Sequence, residues 1–320
     1  MQDPKSILVT GAAGFIAGNF IRKFQKEYPK TEIIGLDNFF NSTLEAVPAG
    51  ITFYEGSIRD EQMLEKIFSK HKPEYVFSFG AMSYVPLSVE KPVETSDVNI
   101  TGTILLFKKS ADHGVKRVIH SSSSAVLGTA KYYPTNEKDN LPDPVSPYAA
   151  QKLATEPFGK VFGEIYGLDV ASLRYMNVFG PGQYGRSPYS TVVSAWLEAM
   201  YFPQNKKAVI YGDGTITRDY CYVDDVVDAN IGCMKFDEKF NGEVFNIGSG
   251  VSYSVNQVHE KIEQLTGKKL PLEKMPPRPG DPQSTLADTS NAKEWFGYEP
   301  KVSFDEGLKR TIAWFEQRKK

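Results

Sequence analysis

Of the 17 tyrosines in the chain, only Tyr148 is followed four residues later by a lysine, Lys152. Residues four apart share one helix face, about a turn from each other. The preceding Ser146-Pro147 is a helix start: serine caps orphan N–H groups, and proline in the first turn loses no hydrogen bond. A phenol ordinarily titrates near 10, so about one in a thousand is ionised at pH 7. A neighbouring ammonium favours the phenolate, and lowering the phenol to about 7, a change of about 4 kcal/mol, would make it a general base. The same spacing also occurs on plain solvated helix faces. What the rest of the chain builds beside the pair decides between the two.

The elements before it build a nucleotide site. An apolar strand over 6–10 runs into Gly11-Ala12-Ala13-Gly14-Phe15-Ile16-Ala17-Gly18 and a helical pattern to about residue 28. Glycines at such a turn let backbone approach a pyrophosphate, and the helix N-terminus supplies N–H donors and dipole. No Gly-Lys-Ser/Thr follows, which excludes a nucleoside-triphosphate loop. A second strand over 32–36 ends at Asp37, placed to hold a ribose 2′-hydroxyl and repel a 2′-phosphate, which favours NAD over NADP. Strands over 51–54, 75–78 and 117–120 then alternate with helices over 60–70 and 93–113, so the expected fold is α/β, a doubly wound parallel sheet. Its ligands collect at the carboxyl ends of strands, where the third of these delivers Ser121 to Ser124. Serines there commonly cap backbone, but a hydroxyl beside a tyrosine base and a nicotinamide suits oxidation of an alcohol.

Composition sets few other demands. With 41% hydrophobic and 24% charged residues, 320 in all, the chain is ordinary for a globular protein of two domains or one domain with a lobe. A net charge of −2 gives no basic field for nucleic acid. No signal-peptide pattern and no membrane-length apolar run is read, so a cytoplasmic, membrane-free protein is expected. Cys221 and Cys233 read as free thiols, and the four histidines lack metal-ligand spacing. No metal site is read.

The ordered motifs resemble the extended short-chain dehydrogenase/reductases of the NAD-dependent nucleotide-sugar epimerase/dehydratase group. They are Thr10-Gly11 with Gly14-Phe15-Ile16, Asp37-Asn38, Asn99 within 98–103, the serine run, Tyr148/Lys152, 174–181, Arg218-Asp219-Tyr220 with Asp224-Asp225, and Arg278-Pro279-Gly280-Asp281. The resemblance spans essentially the whole chain. It implies a Rossmann-type NAD domain over 1–180, to which 219–247 returns, and a smaller C-terminal α/β substrate lobe over 181–320. It implies Tyr148 as base, Lys152 as its pKa-lowering partner and ribose ligand, and Ser123 as the hydroxyl on the reacting sugar oxygen, with Ser122 and Ser124 as neighbouring alternatives. Gly11, Gly14, Phe15, Ile16, Asp37, Asn38, Ser57, Ile58, Ala81 and Asn99 are implied as further cofactor contacts. Ser83, Asn177, Arg218, Arg278 and Thr285 are implied on the nucleotide sugar, and arginine forks suit a diphosphate. A homodimer through the helices bearing Leu105 and Phe107, and Phe158 and Phe162, is implied as well.

Departures from the family pattern narrow the reaction. Ala17 replaces the third glycine, Ser57 the adenine-contacting acid, Leu127 a tyrosine before Gly128, and Pro157 interrupts the Tyr148 helix, where a kink one turn beyond Lys152 is expected. Related 4,6-dehydratases carry Asp-Glu where this chain has Ser124-Ala125, and decarboxylases usually a glutamate at the Ala125 position. The expectation is therefore a 4-epimerase of a UDP-hexose, with NAD tightly bound and recycled through a transient 4-keto sugar. Thr285 stands where a bulky residue in related enzymes excludes N-acetyl groups, so both UDP-glucose/galactose and the UDP-N-acetylglucosamine pair are expected to fit. The alternative is a UDP-glucuronate decarboxylase or 4-epimerase.

Overall fold

The computed structural model describes residues 3–139, 141–185, 190–277 and 282–319. Strand β1 (Ser6–Thr10) is buried along its whole length and leads through the glycine turn into α1 (Phe15–Glu27). Then come β2 (Glu32–Asp37), β3 (Thr52–Glu55), α2 (Glu61–His71), capped by the Asp60 side chain, and β4 (Tyr75–Ser78). The single helix expected over 93–113 is not one helix. It is preceded by α3 (Val85–Glu90) and consists of α4 (Pro92–Ser96), a π-helical turn at Asp97–Gly102, and α5 (Thr103–Asp112). The wider turn carries Asn99 into the interior, and Gly102 lies so close to Ile58 that an added Cβ would meet its side chain at 2.8 Å.

Strand β5 (Arg117–Ser123) runs three residues past the end expected at His120. Pairing is the reason: α6 (Pro147–Tyr166) returns the chain to β6 (Asp169–Tyr175), whose ladder with β5 continues to Ser123 opposite Tyr175. Helix α6 continues without a break through Pro157, which lies on its exposed side. The turn carrying Tyr148 and Lys152 is helical.

Beyond β6 the elements shorten: β7 (Asn177–Phe179), α7 (Val192–Tyr201), β8 (Val209–Tyr211), β9 (Thr217–Tyr222), α8 (Val223–Lys235) and β10 (Val244–Ile247). They continue with β11 (Ser252–Ser254), α9 (Val255–Thr266), β12 (Glu273–Met275), α10 (Ser290–Phe296) and α11 (Phe304–Lys319). Tyr189, expected to start α7, lies outside the described residues, and α11 runs one turn beyond the expected end at Phe315. Seven parallel strands form the main sheet in the order β10-β6-β5-β4-β1-β2-β3. The 219–247 stretch is split: β10 joins this sheet beside β6, whereas β9 lies between β11 and β7 in a three-stranded sheet.

The strand order reverses between β1 and β4, and that switch point is where the backbones crowd. A Cβ on Gly11 would sit 2.9 Å from the Gly80 Cα, and the Gly80 N–H donates to Thr10 Oγ1 at 3.1 Å. Alternation along β1 divides the core: Ile7 and Val9 pack with Phe20, Phe24 and Val226, and Leu8 with Leu64, Phe107 and Phe162. Strands buried on both faces in this way read as continuous apolar runs. Phe107 and Phe162 are therefore interior, their rings 5.8 Å apart, so the inner faces of their two helices are spent on the core. The outward apolar residues of α6 are Val161, Ile165 and Tyr166. Among the described residues, no helix is long and apolar enough to cross a membrane.

Candidate active site

A cleft of about 1230 Å³ opens at the carboxyl edge of the main sheet. Gly11, Gly14, Phe15, Ile16, Asp37, Asn38, Ser57, Ile58, Ala81 and Ser83 line it, and so do Tyr148 and Lys152. The glycine turn is shaped for backbone approach to a ligand. Gly11 holds φ +69, and Gly14 occupies the cap position of α1 with no side-chain cap and no acid in the first turn. Uncapped N–H groups and the positive helix end therefore face the cleft. At the end of β2, the Asp37 carboxylate accepts from Ala13 N–H at 3.0 Å, Phe39 N–H at 2.7 Å and Ser42 Oγ at 3.3 Å. A carboxylate has about four acceptor positions, so capacity for a ribose hydroxyl remains. An open glycine cradle, a bare helix N-terminus and an acid at the second strand end fit NAD. The Ala17 methyl is buried without conflict, and a Cβ at Gly18 would meet only the Arg22 guanidinium, at 3.4 Å.

Asn99 is placed apart from the other expected cofactor contacts. It is fully buried, does not line the cleft, and spends its amide on Met82 N–H (2.8 Å), Met82 carbonyl (2.9 Å) and Gln151 Oε1 (2.8 Å). It braces the segment bearing Ala81 and Ser83 against α6, because the π-helical turn points it inward.

Three successive serines of β5 each engage one residue of a single α6 face. The Lys152 ammonium donates to the Ser121 carbonyl at 2.8 Å, Ser122 Oγ donates to Glu156 Oε1 at 2.6 Å, and Ser123 stands beside the Tyr148 side chain, near enough to favour its phenolate. Positions 148, 152 and 156 fall at intervals of four, one stripe of the helix. Glu156 is held in turn by Arg174, whose Nε and Nη2 reach its two oxygens at 2.8 and 2.7 Å, and both side chains are buried. Ser122 is thus committed to Glu156, and Ser123 is the next serine toward the phenol. Sequence reasoning gave Glu156 and Arg174 no role. The continuing four-residue interval after Lys152 was the available signal.

The electrostatics differ from the expectation that Lys152 lowers the phenol. Burial raises the Tyr148 phenol above its ordinary value, and the neighbouring Ser123 hydroxyl pulls it only partly back. Burial likewise lowers Lys152 to about 8, with Glu156 opposing the shift. Both groups are nine-tenths or more buried, and desolvation penalises whichever form is charged. His120, behind Lys152, is held well below its ordinary range by burial and the lysine charge.

The residues expected on the sugar nucleotide gather elsewhere, around Asp219 in the three-stranded sheet. Asn177 Nδ2 donates to the Asp219 carbonyl and to Thr285 Oγ1, each at 3.2 Å, and Asp219 N–H donates to Thr285 Oγ1 at 3.1 Å. The buried Asp219 carboxylate accepts from Ser249 N–H, Ser249 Oγ, Gly250 N–H and Ala287 N–H at 2.7 to 3.1 Å. Arg218 is buried and donates to the Thr217 carbonyl at 2.8 Å. None of Ser123, Asn177, Arg218 and Thr285 is in the cleft wall. Arg278 lies outside the described residues. Among the described residues, no cluster of potential metal ligands occurs, and both cysteines are free and buried.

The sequence model of the NAD dependent epimerase/dehydratase family matches residues 7–248. A UDP-glucose 4-epimerase of Halalkalibacterium halodurans is 35% identical over 98% of this chain and 96% of its own length. Among solved structures, the Thermotoga maritima UDP-glucose 4-epimerase with UDP-glucose is 40% identical, with a TM-score of 0.93 over 98% of this chain and 100% of that one. The Methanobrevibacter ruminantium UDP-N-acetylglucosamine 4-epimerase in complex with UDP-N-acetylmuramic acid is 34% identical, with a TM-score of 0.90 over 99% and 100%.

Proposed function

Because this chain belongs to the NAD dependent epimerase/dehydratase family and is an NAD-dependent nucleotide-sugar 4-epimerase, we propose that it inverts C4 of UDP-glucose/UDP-galactose and of UDP-N-acetylglucosamine/UDP-N-acetylgalactosamine. The observation that carries the reading is the meeting of Tyr148, Lys152 and Ser123 at the strand end that borders the glycine-turn cleft. Tyr148 takes the proton of the sugar 4-hydroxyl, while Ser123 holds that oxygen in line with the phenol. Bound NAD, held by the glycine turn and Asp37, would supply hydride acceptance and return at C4, with a 4-keto sugar between. Lys152 lies one helix turn from the reacting phenol, its ammonium held by the Ser121 carbonyl, and a bound oxidised nicotinamide would add a positive charge that favours the phenolate. Tyr148 then returns the proton to the inverted alcohol, so the cycle has no net redox change and the cofactor is reused.

In this reading Gly11, Gly14, Phe15, Ile16, Asp37, Asn38, Ser57, Ile58 and Ala81 hold NAD in the 1–180 domain. Ser83, Asn177, Arg218, Arg278 and Thr285 meet the nucleotide sugar with the 181–320 lobe. Thr285 is small, and its hydroxyl is tied to Asn177, which leaves room for an N-acetyl group. The protein acts as a cytoplasmic homodimer through the outer faces of α5 and α6.

Purified protein is incubated with UDP-glucose, UDP-N-acetylglucosamine and UDP-glucuronate, and the products are resolved by NMR. C4 exchange of the first two is expected, and no exchange in any sugar overturns the reading. Tyr148→Phe lowers kcat by about a thousandfold, within the range for loss of a general base, while NAD stays bound. Full activity of that variant removes Tyr148 as base.

A further inference from the structure

Two aromatic side chains from opposite walls meet across the cleft. Phe40 lies on the loop after β2 and Tyr84 on the segment after β4. Both line the cleft, and their ring centroids are 6.3 Å apart at 42°, a separation at which aromatic pairs attract. Phe40 is 43% exposed, so its ring is free to reach across the cleft.

The backbone is bent to put it there. Phe39 holds φ +56, a left-handed conformation that a bulky residue adopts only where its surroundings impose it, and such residues concentrate at ligand clamps. Those surroundings are the Phe53 ring, stacked on Phe39 at 5.4 Å, and Asp37 Oδ1, which accepts the Phe39 N–H at 2.7 Å and Ser42 Oγ at 3.3 Å. With Phe39 pinned inward, the next ring turns out over the cleft.

We propose that Phe40 and Tyr84 form an aromatic clasp that slows the escape of NAD between turnovers. The proposal rests on the reading of the cleft as the dinucleotide's seat. The Phe40 loop begins at Asp37, the ribose ligand of that reading, and Tyr84 follows Ala81 and Ser83 on the facing wall. The clasp therefore joins the two walls between which the dinucleotide lies, and they separate only when the rings part. An enzyme that reuses its NAD in every cycle gains from such a barrier.

Holoenzyme is diluted, and the NAD still bound is counted after rapid gel filtration at successive times. Phe40→Ala and Tyr84→Ala are each expected to lose NAD about tenfold faster than wild type, the scale of one lost aromatic contact. The double variant loses it no faster than the faster single one, because either change removes the same contact, and Tyr84→Phe keeps the wild-type rate. Unchanged loss in both alanine variants, or effects that multiply in the double variant, overturns the clasp. A wild-type protein that retains no NAD after gel filtration overturns the clasp and the cleft reading together.

Discussion

The cofactor wall of the cleft and the cluster around Asp219 are built on opposite plans. The first is made mostly of main chain: a glycine turn, an uncapped helix end and the termini of parallel strands, with Asp37 tying neighbouring N–H groups. The second gathers short pieces far apart in sequence, 177–179, 217–222, 249–250 and 285–287, around one buried carboxylate. A wall of backbone fails where a side chain intrudes on it. A wall keyed by a side chain fails when that side chain is removed, because each orphaned buried donor carries its desolvation penalty.

The sharpest way to break this contrast is Asp219→Ala. Four donors lose their acceptor, so we expect at least about 3 kcal/mol of destabilisation, read from urea midpoints, with UDP-sugar affinity falling and NAD occupancy of the folded fraction unchanged. Equal loss of both ligands would mean that the two walls are one unit. Within the cleft wall, Lys152 is lowered to about 8 when folded against about 10.4 when unfolded. Between those values the unfolded chain binds the proton and the folded one does not, so stability rises with pH through that window. Relative to Lys152→Met, wild type should gain about 2 kcal/mol between pH 8 and 10; a flat difference would place the lysine in contact with water. The smallest effects come from the glycine turn taken as a pair. Gly11→Ala meets the Gly80 backbone at positive φ and should cost about 2 kcal/mol together with NAD occupancy. Gly18→Ala meets only a movable guanidinium and should stabilise by up to about 1 kcal/mol. Similar melting temperatures for the two variants would remove the claim that backbone proximity at the switch point shapes the turn.

The amino-acid sequence by itself determined what is local. The βα alternation, the glycine turn after β1, the acid ending β2 and the four-residue interval of Tyr148 and Lys152 are patterns of neighbouring residues, and α6 begins at Pro147 under the Ser146 cap as its residues dictate. Tertiary structure decided what depends on which way a side chain faces and how deeply it is buried. It extended β5 through the serines by pairing them with β6, committed Ser122 to Glu156 and left Ser123 to Tyr148. It turned Asn99 inward on a π-helical turn, and put Phe107 and Phe162 in the core. It also set the sign of the Tyr148 shift. Spacing brings an ammonium near a phenol, but the desolvation that raises that phenol comes from the elements packed over both, and no interval in the chain encodes it.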